Sequence, residues 1–126
     1  MFAQVLSSTV LGIDAYIVKV ELHLENSPPK FFMVGLPEGA VRESKSRVFS
    51  AIKNSGYSYK PKRTTINLAP ADIKKEGSAF DLPIAVGMLA VYGHVKYDHL
   101  EDYILLGELA LDGQLRPVHG ALPIAI

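Results

Sequence analysis

The chain has 126 residues, no cysteine, 48% hydrophobic content, and 13 basic residues balanced by 13 acidic ones. That length allows one domain with a genuine core and no room for a second, and the missing thiol excludes disulfides, thiolate nucleophiles and zinc–thiolate centres. No run approaches the ~18 apolar residues that span a membrane, and the opening MFAQVLSSTVLG has no basic leader or cleavage signal, so the chain reads as a cytoplasmic protein.

Gln4 to Val10 is a strand candidate, closed by a turn at Gly12 and Asp14. Ala15 to Glu25 is the clearest strand: Val18, Val20, Leu22 and Leu24 alternate with Lys19, Glu21, His23 and Glu25, the period of a half-buried strand. Asn26-Ser27-Pro28-Pro29 breaks it, and Lys30 to Val34 resumes as an aromatic-rich strand. A short loop between these runs predicts an antiparallel pair.

Gly35-Leu36-Pro37-Glu38 opens an amphipathic helix to about Asn54, with Val41, Val48 and Ile52 on one face and Phe49 at its edge. Glu38 and Glu43 come early and Arg47 and Lys53 late, which suits the helix dipole, and Gly56 is a stop signal. A Tyr/Lys-rich loop, Tyr57 to Pro61, leads to a strand at Arg63 to Leu68.

The chain then organises around Lys74 to Gly93, a polar turn running into an apolar helix. Ser78 and Asp81 are the two candidate N-caps, and Pro83 sits early, where its missing N–H is harmless. From Leu82 to Val91 no solvent face can be drawn, which describes a buried helix. Gly87 lowers helix propensity, so another backbone is expected to pack close there. A turn of this kind aims N–H groups at whatever lies above it. Beyond it, Tyr103 to Gly107 reads as a strand, and Glu108 to Val118 as a hairpin with Asp112-Gly113 in a two-residue turn. The last residues, Ala121 to Ile126, resemble the start of a helix cut short, so a longer parent protein is expected.

The charge is unevenly placed. Lys53 to Lys75 holds Lys53, Lys60, Lys62, Arg63, Lys74 and Lys75 against Asp72, and His94 to Gln114 holds five acids against Lys96. The first segment could be a basic face for phosphates or simply a solvated loop. No phosphate-binding glycine motif or esterase elbow occurs. The four histidines lack the i, i+4 spacing of a helical metal pair, so no metal site is expected. Ser78 is the serine best placed for nucleophilic chemistry, with helix capping as its structural alternative. Ser44 and Ser46 show no partner in the sequence.

The pairing of NLAPADIKKEGSAFDLPIAVGMLA with LLGELALDGQLRPVHGALPIA, together with VLSSTVLGIDAYIVKVEL and FFMVGLPEGAVRESKSRV, resembles the N-terminal domain of the ComM/YifB group of Mg-chelatase-like AAA+ ATPases. That domain is similar to the proteolytic domain of Lon and the C-terminal domain of RadA. The resemblance implies an α+β fold like the second domain of ribosomal protein S5, with mixed sheets around a buried central helix. Lon proteases carry P-K-D-G-P-S-A-G at the corresponding turn. Laying Lys75-Glu76-Gly77 on K-D-G puts Ser78 at the Pro and Ala79 at the nucleophile. Their base lies in G-G-L-K after a hairpin, and His119-Gly120-Ala121-Leu122 puts Leu122 in its place. Ser78 is one residue early, a turn of about 100° at a helix start.

The resemblance therefore implies a non-catalytic accessory domain of a larger ATPase that promotes DNA branch migration. ATP and magnesium would bind downstream, with no cofactor in this chain. Its partners would be its own AAA+ domain, neighbouring protomers of a ring, and DNA. The candidate DNA surface is Lys60, Lys62, Arg63, Lys74 and Lys75, with Tyr57 and Tyr59 able to stack on bases. A remodelled serine peptidase using Ser78 and a purely structural oligomerisation module are the alternatives.

Overall fold

Alternation in β2 (Asp14–Glu25) sets up a two-faced sheet: Val18, Val20, Leu22 and Leu24 are buried, while Lys19, His23 and Glu25 on the opposite face are exposed. The computed structural model describes residues 1–117 apart from Gly12, Glu76 and Tyr97. β1 (Phe2–Leu11) pairs antiparallel with β2, Val5 facing Val20 and Ala3 facing Leu22, so the buried sets of both strands fall on one side. β4 (Arg63–Ala69) lies along the other edge of β2, placing Thr64, Ile66 and Leu68 opposite Leu24, Leu22 and Val20.

β3 (Lys30–Val34) pairs parallel with β4, and the sheet order is β1-β2-β4-β3. The expected antiparallel pair of β2 with β3 is therefore corrected, because β4 lies between them. The cause is α1 (Glu38–Asn54), a 17-residue helix joining β3 to β4. A strand–helix–strand crossover makes its two strands parallel, and β4's buried alternation then matches β2 residue for residue. At the turn into α1, Gly35 has φ +109°, and a Cβ there would lie 2.7 Å from the Leu68 carbonyl oxygen. Only glycine fits that backbone.

α1 buries Ser44, Val48, Ala51 and Ile52, and ends as expected at Gly56, which has φ +91°. α2 (Asp81–Val91) packs on β1 and β2 and against α1. Its apolar circumference is buried almost throughout, with Ile84, Met88 and Val91 excluded from water. Each contributes about 1.5–3 kcal/mol by burial. Gly87 meets a side chain and not the backbone expected: a Cβ there would press on Leu22 Cδ1, which would have to shift.

Residues 103–107 make a single parallel bridge from Ile104 to Leu6, and not the full strand expected. Their polar groups are used differently: Leu105 N–H donates to Leu6 O (2.9 Å) and Ser7 Oγ donates to Leu105 O (2.8 Å). A hairpin follows, β5 (Glu108–Leu109) with β6 (Leu115–Arg116). Its loop is longer than two residues. Ala110 N–H donates to Gln114 O, Gly113 N–H donates to Ala110 O, and of the central pair only Gly113 has positive φ. Asp112 keeps negative φ and caps the loop by accepting from Gln114 N–H at 3.0 Å. That is a three-residue loop with glycine in the left-handed position. The hairpin's expected last residue, Val118, lies outside the described residues. Among them, no helix is long and apolar enough to cross a membrane.

Candidate functional site

The turn before α2 holds its polar groups inward. Asp81, 1% exposed, is the first residue of α2 and makes no capping bond; Phe80 holds the cap position, also without one. Neither expected N-cap, Ser78 or Asp81, acts as one by its side chain. The Asp81 carboxylate instead accepts from Ser44 Oγ (2.9 Å), Arg47 Nε (2.6 Å), Arg47 Nη2 (3.2 Å) and Leu109 N–H (3.2 Å). One buried charge thus ties α2, α1 and β5 together. The hydrogen bond to Asp81 holds the Arg47 guanidinium above its ordinary pKa despite partial burial. Ser44, which had no visible partner in the sequence, has one here. Its i, i+3 spacing with Arg47 puts both on one face of α1, and that spacing is the signal that could have suggested the pairing.

The first N–H groups of α2 are also taken. Asp81 N–H donates to Ser78 O (3.1 Å) and Leu82 N–H to Gly107 O (2.9 Å), while Gly107 N–H donates to Ala79 O (2.8 Å). Pro83 has no N–H to offer. A helix start can hold an anion only through unsatisfied donors, and here protein carbonyls use them. Ser78 is half-buried, and no described residue hydrogen-bonds its hydroxyl. Ala79, at the nucleophile position of the family resemblance, has no side-chain chemistry to offer. Leu122 and the residues around it lie outside the described residues.

Lys75 departs from the expectation of a solvent-facing phosphate contact. It is 2% exposed, and its ammonium donates to Pro70 O and to Ile73 O, the latter at 2.7 Å. Burial lowers its pKa, against a smaller opposite pull from Asp72. Lys74 beside it is exposed. Both follow the Ala69 end of β4, where Lys75 packs beside Gly35, whereas Arg63 opens that strand; seven extended residues put the two ends of the strand about 20 Å apart. Lys74 and Lys75 are therefore not brought together with Lys60, Lys62 and Arg63.

The other candidates form a local group. Lys60 and Lys62 border one depression with Pro28 and Pro29. Lys62 N–H donates to Tyr92 Oη (3.1 Å), and Thr64 Oγ1 donates to Lys62 O (3.1 Å), which pins this segment against α2's last turn. Arg63 turns to the outer sheet face, its guanidinium 5.0 Å from the Phe32 ring centroid. Tyr57, 39% exposed, meets the His94 ring at 5.3 Å between centroids, and His94 Nε2 donates to Ser58 O. Tyr59 packs on Tyr92 at 4.4 Å, and burial raises its hydroxyl pKa. Among the described residues Lys60, Lys62 and Arg63 form no ion pair, and no group of acids and histidines could hold a metal.

Residues 20–126 match the family model for subunit ChlI of Mg-chelatase. The chain is 50% identical over 121 residues to the competence protein ComM of Haemophilus influenzae, covering 96% of this chain and 24% of that protein. It is 51% identical over 115 residues to YifB of Escherichia coli, covering 91% of this chain and 23% of that relative. To YifB of Salmonella typhimurium it is 52% identical over 115 residues, with coverage of 91% and 23%. The chain thus spans about a quarter of the length of the curated relatives it matches.

Proposed function

This chain belongs to the Mg-chelatase ChlI-type family that includes ComM and YifB, and from that premise we propose that it is a non-catalytic accessory module that contacts DNA. In this reading it serves a ComM-type ATPase in branch migration. The parent protein would supply ATP and magnesium sites outside this chain, and neighbouring protomers of a ring would be further partners. The domain lineage would be that of Lon and of the second domain of ribosomal protein S5.

The observation that carries the reading is the Lys60–Lys62–Arg63 run, cationic and without ion pairs among the described residues, beside Tyr57 and Tyr59. Cations on a pinned segment attract a phosphate backbone, and neighbouring aromatic rings suit unpaired bases. The peptidase alternative finds no comparable support, since Ala79 stands at the nucleophile position and protein carbonyls occupy the N–H groups of Asp81 and Leu82 at the start of α2.

The test is filter binding of DNA to the chain across a salt series. Binding at low salt that weakens steeply as salt rises is expected, because phosphate contacts release counterions. No binding at any salt would overturn the reading.

A further inference from the structure

Between β3, α1 and the Tyr59–Lys62 segment lies an open cavity of about 270 Å³. Its walls include two aromatic pairs. Phe31 and Phe49 meet edge to face at 5.2 Å, and Tyr59 and Tyr92 stack obliquely at 4.4 Å. Lys30, Lys45 and Lys62 line it as well, and no acid does. The Lys45 ammonium lies 5.3 Å from the Phe31 ring centroid and 5.7 Å from that of Phe49, on an exposed side chain. The volume is near the lower end of small-ligand sites, ~300–1,000 Å³.

We infer that this cavity takes one unstacked base of a single-stranded nucleic acid, with the adjoining phosphates on Lys45 and Lys62; the Lys30 ammonium lies instead over the Phe32 ring at 5.5 Å. The inference rests on the DNA-contact reading and refines it. An aromatic floor with a purely cationic border complements a ligand that joins a planar π-system to an anion. In the free protein Lys45 occupies the ring faces as a cation–π partner. A phosphate offers that ammonium a stronger, fully charged partner, and its departure opens the Phe31 and Phe49 faces to a base.

Continuity favours a strand unit over a free nucleotide. Two neighbouring depressions, of about 310 and 330 Å³, also have Lys62 in their walls, so the cavity is one station on a longer track. Glu25 is the one acid lining either of them. No buried charged side chain is set to orient a small ligand in the cavity itself. Base–aromatic stacking with sequence tolerance is the mode such a surface supports.

The experiment is fluorescence anisotropy with the full chain, using a dye-labelled oligothymidylate, an abasic strand of the same length, the corresponding duplex, and free thymidine monophosphate as competitor. The oligothymidylate is expected to bind at least about fivefold tighter than the abasic strand, the smallest effect expected of one stacked base. Phe49→Leu keeps an apolar wall without the aromatic face and should remove most of that ratio; a ratio unchanged in this variant overturns stacking in the cavity. Lys45→Gln, at an exposed position, should weaken both strands. Equal binding of the two strands by the unaltered chain overturns the base pocket and leaves the phosphate contact standing. Binding of neither strand overturns both. Preference for the duplex, or monophosphate binding as tight as the strand's, overturns the assignment to a single strand.

Discussion

Replacing Asp81 by alanine removes the acceptor on which two helices and a β-strand converge. Four donors lose their partner: Ser44 Oγ, Leu109 N–H, and Nε and Nη2 of Arg47. Ser44 and Leu109 are 3% and 5% exposed, so solvent cannot take over their bonds without local opening. Breaking a buried ion pair from one side costs ~3–5 kcal/mol. The lower end applies here, because the Arg47 side chain is 22% exposed and Glu43 stands 3.7 Å from its Nη1. The expected loss is about 3 kcal/mol, against a total stability of ~5–15 kcal/mol for a domain. In a chain of this size that lowers Tm by about 10–15 °C. Asp81→Asn keeps the shape and one acceptor oxygen and should cost about half as much. Urea unfolding of wild type, Asp81→Ala, Arg47→Ala and the double variant measures both the cost and the coupling. The coupling should exceed ~1 kcal/mol, since the residues are in direct contact. A single-variant loss below ~1 kcal/mol, or a coupling near zero, refutes the central carboxylate as the tie between these elements.

Three further outcomes follow from the same geometry. Gly87→Ala should destabilise by about 1 kcal/mol, because overpacking against Leu22 Cδ1 (~1–3 kcal/mol) outweighs the helix-propensity gain (~1 kcal/mol); chemical denaturation should show part of the loss recovered when Leu22→Val is added. Burial lowers the Lys75 pKa, so between its folded and unfolded values the unfolded state binds more protons and stability rises with pH. Denaturation curves at alkaline pH, up to the unfolded lysine value of about 10.5, should therefore show a shallower rise in Lys75→Met than in wild type, the Tyr59 contribution cancelling in the comparison; identical slopes would contradict the burial. A fluorophosphonate probe should leave the chain unlabelled, because Ser78 has no base among the described residues; labelling lost in Ser78→Ala would establish a reactive hydroxyl.

Local pattern was enough for much of the fold. The two-residue period of Val18 to Leu24 produced β2 with its buried face on the expected side. The apolar face ending at Gly56 produced α1, and the absence of any polar face between Leu82 and Val91 produced a buried α2. Of the candidate site, the Tyr57–Arg63 segment was legible because its chemistry is continuous in sequence. The Phe31–Phe49 cavity was not: its walls come from β3, α1, the connecting loop and the end of α2, and only the i, i+4 spacing of Lys45 and Phe49 hinted at a shared face.

By itself, then, the sequence determined the segments that become β1 to β4, α1 and α2 and the buried side of β2, since hydrophobic period acts within a few residues. Tertiary structure alone decided the partners. It put β4 between β2 and β3, matched Gly87 to Leu22, turned Lys75 inward onto two carbonyls, and used Asp81 as an anchor for Arg47, 34 positions earlier, in place of a cap. Those choices depend on which groups can share a volume from which water is excluded. That competition is settled between residues far apart in the chain, where no local pattern reaches.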